Sequence, residues 1–241
     1  ARMPGKKRIS FTVGNDIKIV ADAFGPEHGR PDMFAHGGGQ TRHAWHACGK
    51  VLGANGYHAL CLDLRGHGES DWAPDGDYAI ERFAEDILFI AGKLHEAPVL
   101  VGASLGGIAG LIAQGELAKA GHRGFAGLVL VDITPRMNME GVQKILGFMS
   151  SNLETGFASL EEAADAIGQY LPHRPRPKNL SGLAKNLRLK DDGRYYWHWD
   201  PRMLRADDGP EPPRFFDELI EVARHVTIPT LLVRGGESDI V

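Results

Sequence analysis

The sequence predicts an α/β protein: a mostly parallel, doubly wound sheet with helices on both faces and a helical cap inserted after the strand that ends at Asp132. Three observations predict it. Short apolar runs alternate with amphipathic stretches, as a parallel sheet with crossover helices requires. Gly102-Ala103-Ser104-Leu105-Gly106 stands between an apolar run and a helix-forming stretch. From Asp132 to Thr230 no strand is evident, only helical pieces.

Taken in order, residues 8–13 and 16–23 read as two strands joined at Gly14-Asn15, a hairpin signal. Met33-Phe34-Ala35 is a short apolar run that ends in His36-Gly37-Gly38-Gly39. Residues 41–55 are helical in pattern, and Gly56 takes the terminating position after them. His58–Leu64 is a strand followed by the turn Arg65-Gly66-His67-Gly68-Glu69-Ser70. Residues 77–94 place Ile80, Phe83, Ala84, Ile87 and Ile90 at helical spacing. Val99-Leu100-Val101 leads into the serine turn, and residues 108–120 form the next helix. Leu128–Val131 is a strand ending at Asp132. Helices are expected over residues 140–152, 160–170 and 180–189, with a Pro- and Arg-rich stretch between the last two (172–177) and the aromatic cluster Tyr195–Trp199 behind them. A helix over 213–224 leads back to the strand Thr230–Val233.

Composition sets outer limits. The chain has 241 residues, 43% hydrophobic and 24% charged, enough for a sizeable core. A net charge of −4 offers no broad attraction to nucleic acid or anionic membrane. Cys48 and Cys61 make neither a disulfide framework nor a metal-ligand spacing, so free thiols are expected. The N-terminal ARMPGKKRISF has no apolar run behind its basic residues, and no stretch is long and apolar enough to span a bilayer. The expectation is a cytoplasmic protein acting on a small molecule, with no cofactor, no nucleic-acid partner and no membrane. His43 and His46 could face together on a helix, but two ligands without a third make no metal site, and none is expected.

The serine turn carries the chemistry. A serine hydroxyl is a useful nucleophile when a sharp turn holds it out within reach of a base. Glycines on both sides let neighbouring backbone pass closely, and the helix that follows aims free N–H groups at developing negative charge. The bland reading, a serine capping that helix, is weaker because glycines flank Ser104 on both sides.

The order strand–HGGG–helix–strand–DLRGHGES–helix–strand–GASLGG–helix–strand resembles the α/β-hydrolase fold superfamily, from about Arg8 to the end of the sequence. The resemblance implies a division into a first part of the core (1–135), a helical cap (136–212) and a second part of the core (213–241). It implies Ser104 as nucleophile, with the backbone N–H groups of Leu105 and Gly38 (Gly39 next) as the oxyanion hole. It implies an acid in the loop after the last readable strand, Asp239, with Asp132 as the alternative and Glu237 a lesser candidate. Trp45, Trp197 and Trp199 are expected to line the substrate pocket. Arg174 and Arg176 read as solvated surface. Chain order in this fold is Ser, acid, then His, and no histidine follows Asp239. The catalytic histidine is therefore expected beyond residue 241, which also fits the apolar edge that Leu231-Leu232-Val233 would otherwise leave bare. The activity implied is a serine hydrolase cleaving a small carboxylic ester, thioester or lactone. The alternatives are a carbon–carbon bond hydrolase, a cofactor-free haloperoxidase-like member, or a non-catalytic small-molecule binding protein of the same fold.

Overall fold

A computed structural model describes residues 5–204 and 212–241. Residues 1–4 and the C-terminal end of the expected 136–212 insertion fall outside them. The described residues form nine strands and seven α-helices.

β1 (Lys7–Thr12) and β2 (Lys18–Phe24) pair antiparallel, Lys7 opposite Ala23 and Thr12 opposite Lys18. β3 (Pro31–Ala35), β4 (His58–Leu62), β5 (Val99–Ala103), β6 (Gly127–Val131) and β9 (Thr230–Val233) run parallel, in the order β1-β2-β4-β3-β5-β6-β9. This is the expected mostly parallel sheet.

Side chains alternate across a strand with period two, and the sequence fills both faces. Met33 and Ala35 of β3, Leu60 and Leu62 of β4, and Leu100 of β5 enter the main core with Phe83, Ile87 and Ile90 of α2 (Ile80–Ala91) and Ala109 and Ala113 of α3 (Leu105–Lys119). Phe34, Ala59 and Cys61 point the other way, against Trp45 and Leu52. Leu52 belongs to α1 (His46–Ala54), and a 3-10 turn, Arg42–Trp45, precedes that helix. Both helices expected in this half are shorter than their patterns suggest, because a 3-10 turn takes up the first residues of one and non-helical turns both ends of the other. α3 starts three residues earlier than expected, directly after Ser104. Its glycines cost helix propensity, but they let the helix lie against the sheet: a Cβ on Gly106 would stand 2.4 Å from the Ala35 carbonyl oxygen.

After β6 come α4 (Met139–Ser150), α5 (Leu160–Tyr170) and α6 (Ser181–Ala184). The side chains of Asn138 and Ser159 cap the first two, accepting from N–H groups of the first turn. The helix expected over 180–189 does not form along that length. Only Ser181–Ala184 is helical, and Leu187–Leu189 (β7) pairs antiparallel with Tyr195–Trp197 (β8). The segment between β6 and α7 therefore contains strands among its described residues, contrary to the helical reading. Its own apolar cluster joins Met149, Phe157, Ala163, Leu187, Trp197 and Trp199. α7 (Pro212–Arg224) returns to the sheet, and the edge strand β9 leaves Leu231 and Leu232 each 57% exposed. No helix among the described residues is long and apolar enough to cross a membrane.

Candidate active site

Ser104 lies in the left-handed region, at φ +46° and ψ −116°, where an L-residue is strained and persists only when its surroundings fix it. They do. Its N–H reaches the Val131 carbonyl at 3.3 Å, its carbonyl accepts from Ile108 at 2.9 Å, and Gly106 N–H donates to the His36 carbonyl at 3.1 Å. A Cβ on Gly102 would meet the Gly106 backbone at 2.6 Å, so glycine is required on both sides of the turn. The Ser104 side chain makes no helix-capping hydrogen bond, which removes the bland reading.

The glycine turn after β3 comes up beside it, and a Cβ on Gly37 would be 3.3 Å from the Ser104 Cβ. Two of the three glycine amides are engaged: Gly37 N–H donates to Gln40 Oε1 at 3.0 Å and Gly39 N–H to His67 Nε2 at 3.0 Å. Gly38 N–H makes no hydrogen bond among the described residues, and neither does that of Leu105, first in α3. Ser104, Gly38 and Leu105 line one cavity of about 220 Å³. Its remaining walls are apolar, among them Val142, Ile145, Leu146 and Met149 from α4 and Met137 and Met203 from either end of the insertion.

The pocket residues expected from sequence are elsewhere. Trp45 packs on Phe34 at 5.3 Å between ring centres, in the core on the α1 face of the sheet. Trp197 and Trp199 stack on each other at 4.8 Å inside the insertion's own cluster, and none of the three tryptophans lines the cavity. Trp199 instead lies over the turn, its ring 3.2 Å from where a Gly39 Cβ would be. The signal that could have found the real lining was present: residues 142, 145, 146 and 149 repeat at i, i+3, i+4 and i+7.

Of the acids, Asp132 sits at the end of β6 at φ +55°, its N–H on the Val233 carbonyl at 2.6 Å and its Oδ1 accepting from Gly235 N–H at 3.1 Å. The Asp239 carboxylate is 58% exposed and pairs with Lys144 at 3.3 Å. Glu237 is exposed. Among the described residues no carboxylate and no histidine hydrogen-bonds to Ser104.

Three buried histidines hold the turn. Leu64 N–H donates to His36 Nε2 at 3.0 Å, so Nδ1 carries the proton and gives it to the Gly37 carbonyl at 2.8 Å. His67 accepts from Gly39 N–H at Nε2 and donates from Nδ1 to the Arg65 carbonyl at 2.9 Å. His198, from the insertion, accepts from Gly68 N–H at 2.7 Å and donates to the Gly39 carbonyl at 3.0 Å. Each ring must be neutral to fill these roles, and burial favours that form: it drives His36 well below the usual range, His67 down to about 4 and His198 down to about 3.

A stability prediction follows from the sign of these shifts. An unfolded histidine takes a proton near pH 6.5, while these rings resist until about pH 4 or 3, so between those values the unfolded state binds more protons. Thermal midpoints should therefore fall steadily as pH drops from 6.5 toward 4. His198→Gln should flatten that slope; a slope equal to wild type would remove His198 from the account.

Residues 33–239 match the alpha/beta hydrolase family. The chain belongs to that family. Esterase Rv0045c of Mycobacterium tuberculosis is 31% identical over 214 residues, 87% of this chain and 67% of the esterase. Protein phosphatase methylesterase 1 of Schizosaccharomyces pombe is 31% identical over 150 residues, 58% of this chain and 42% of that protein. The chain thus spans about two thirds of one relative and less than half of the other. The crystal structure of an alpha/beta hydrolase from Novosphingobium aromaticivorans superposes with a TM-score of 0.79 at 24% identity, over 99% of this chain and 84% of the other. This alpha/beta hydrolase is an enzyme of the hydrolase class, with esterases among its relatives.

Proposed function

We propose that this alpha/beta hydrolase cleaves a small carboxylic ester, thioester or lactone through an acyl-enzyme on Ser104. One observation carries the reading: a strained, uncapped serine shares an apolar cavity with two unengaged backbone N–H groups, those of Gly38 and Leu105. Ser104 Oγ attacks the acyl carbon, and the carbonyl oxygen, now negative, is received by those two amides. They are fixed in place before reaction, so they need no reorganisation as the charge appears. The base that takes the Ser104 proton returns it to the departing alcohol, thiol or ring oxygen, then takes a proton from the water that releases the acid. The family's chain order places the base after the acid. Asp239 is the acid in this proposal and Asp132 its alternative. Replacing the true acid by asparagine should cost about 10⁴-fold in kcat, by analogy with a serine-protease triad, and replacing the other much less. The chain is read as core (1–135 and 213–241) with residues 136–212 forming a cap over Ser104. This is supported by the methionine and aliphatic side chains that α4 and its neighbours contribute to the cavity.

The test is covalent labelling of the natural protein by a fluorophosphonate. Labelling that disappears in Ser104→Ala supports the reading; labelling that persists, or none in the wild type, overturns it. The apolar lining makes a second prediction. Ile145→Trp should shrink the acyl pocket and lower kcat/KM for p-nitrophenyl butyrate at least ~10-fold more than for the acetate, since one methylene is worth about 10–200-fold in such a pocket.

A further inference from the structure

Across the sheet from the apolar cavity, β2 and the start of α1 bring together Asp22, His43 and His46. Each offers one ligand atom, and the three atoms lie within 4.8 Å of one another. The histidines are three residues apart on the 3-10 turn and the first position of α1, with ring centres 4.6 Å apart. The third member is invisible in the local sequence because it comes from a strand more than twenty residues earlier.

The carboxylate of Asp22 is fully buried, and its two oxygens are unequally served. Oδ2 receives Arg42 Nε at 2.9 Å and His46 Nε2 at 2.7 Å, with Lys6 Nζ at 3.7 Å. Oδ1 has no partner. Arg42 alone could neutralise the charge, but it leaves that oxygen unanswered, and buried acceptors are rarely left so. The imidazoles suit the missing partner. A neutral imidazole offers one ring nitrogen lone pair to a metal ion, and two such rings stand beside this carboxylate. The His43 ring makes one hydrogen bond among the described residues, between Nδ1 and Thr41 Oγ1 at 3.2 Å, which leaves Nε2 for an ion.

We infer that Asp22, His43 and His46 form a binding site for one divalent transition-metal ion, of the kind that two imidazoles and a carboxylate select: zinc, copper or nickel. Metal–nitrogen bonds of about 2.0–2.1 Å would need the donors to draw in by roughly 1 Å, and water would complete the shell. The neighbouring Arg42 and Lys6 charges oppose the ion, while Asp63 and Glu69 offset Arg42, so affinity in the micromolar range is expected.

The site is tested on the natural protein with Zn²⁺ by calorimetry and with Cu²⁺ by electron paramagnetic resonance. One ion per chain is expected, with two nitrogen ligands in the copper spectrum. His43→Ala and His46→Ala should each weaken binding at least ~10-fold and remove one nitrogen from the spectrum. Asp22→Asn disturbs Arg42 as well, so the two histidine variants, checked for folding by circular dichroism, carry the test. No saturable binding below millimolar ion, or binding unchanged in both histidine variants, overturns the inference.

Discussion

Replacing Ser104 by alanine should lower kcat for p-nitrophenyl ester hydrolysis by about 10⁴–10⁶-fold, leaving the residual rate that binding and the two amides sustain. The size of the loss follows from what the residue supplies, the attacking atom itself. Alanine should leave the fold alone, because the strained backbone is held by the Val131 carbonyl, the Ile108 N–H and the flanking glycines rather than by the hydroxyl. Ser104→Gly separates the two quantities further. It should abolish turnover equally while raising stability by about 1 kcal/mol, because glycine adopts φ +46° without a Cβ penalty. Activity above a tenth of wild type in either variant would falsify the nucleophile assignment.

The second large effect is on stability. Arg42→Ala should cost about 3–5 kcal/mol. That corresponds to a fall in thermal midpoint of roughly 6–20 °C for a chain of this size. Arg42 is 5% exposed and reaches two carboxylates that are 0% exposed: Asp63 through Nη1 at 2.6 Å and Asp22 through Nε at 2.9 Å. Burial works against its charge, yet these partners outweigh that and hold it protonated. Removing the guanidinium leaves both carboxylates buried without the buried cation they share. Asp63 also accepts the backbone N–H groups of Arg42 and Glu69, so the turn that carries His67 should loosen with it. Arg42→Lys should recover part of the loss, because an ammonium keeps the charge but cannot span both carboxylates. A midpoint shift below 2 °C in Arg42→Ala would mean that the network contributes little.

Much of the fold was legible because its signals are local. Helix α5 was expected over 160–170 and stands at Leu160–Tyr170, with the Ser159 side chain capping its first turn. The strands β3 to β6 were visible as apolar runs, since a strand buried on both faces must be apolar throughout. What stayed hidden depends on partners far along the chain. Leu187 and Leu189 were assigned to a helix, yet they become strand because Tyr195 and Trp197 lie opposite them. Trp45 is next to the glycine turn in sequence but on the far face of the sheet in space. The serine turn showed in sequence where a nucleophile could stand; that Gly38 alone of the three glycines keeps an unengaged amide among the described residues depends on His67 and Gln40, which take the other two only in the folded chain.

The His198 contacts to Gly39 and Gly68 also have a consequence in time. They join residues 159 and 130 positions apart. At roughly 5–20 residues per second, the glycine turn is synthesised about 8–32 s before His198. During that interval β3, β4 and their turns are complete but unclasped, with their apolar ends open to whatever else is nearby. The bonds that finish the serine's surroundings are therefore among the last that a nascent chain can form, and catalytic competence should lag well behind secondary structure in both synthesis and refolding.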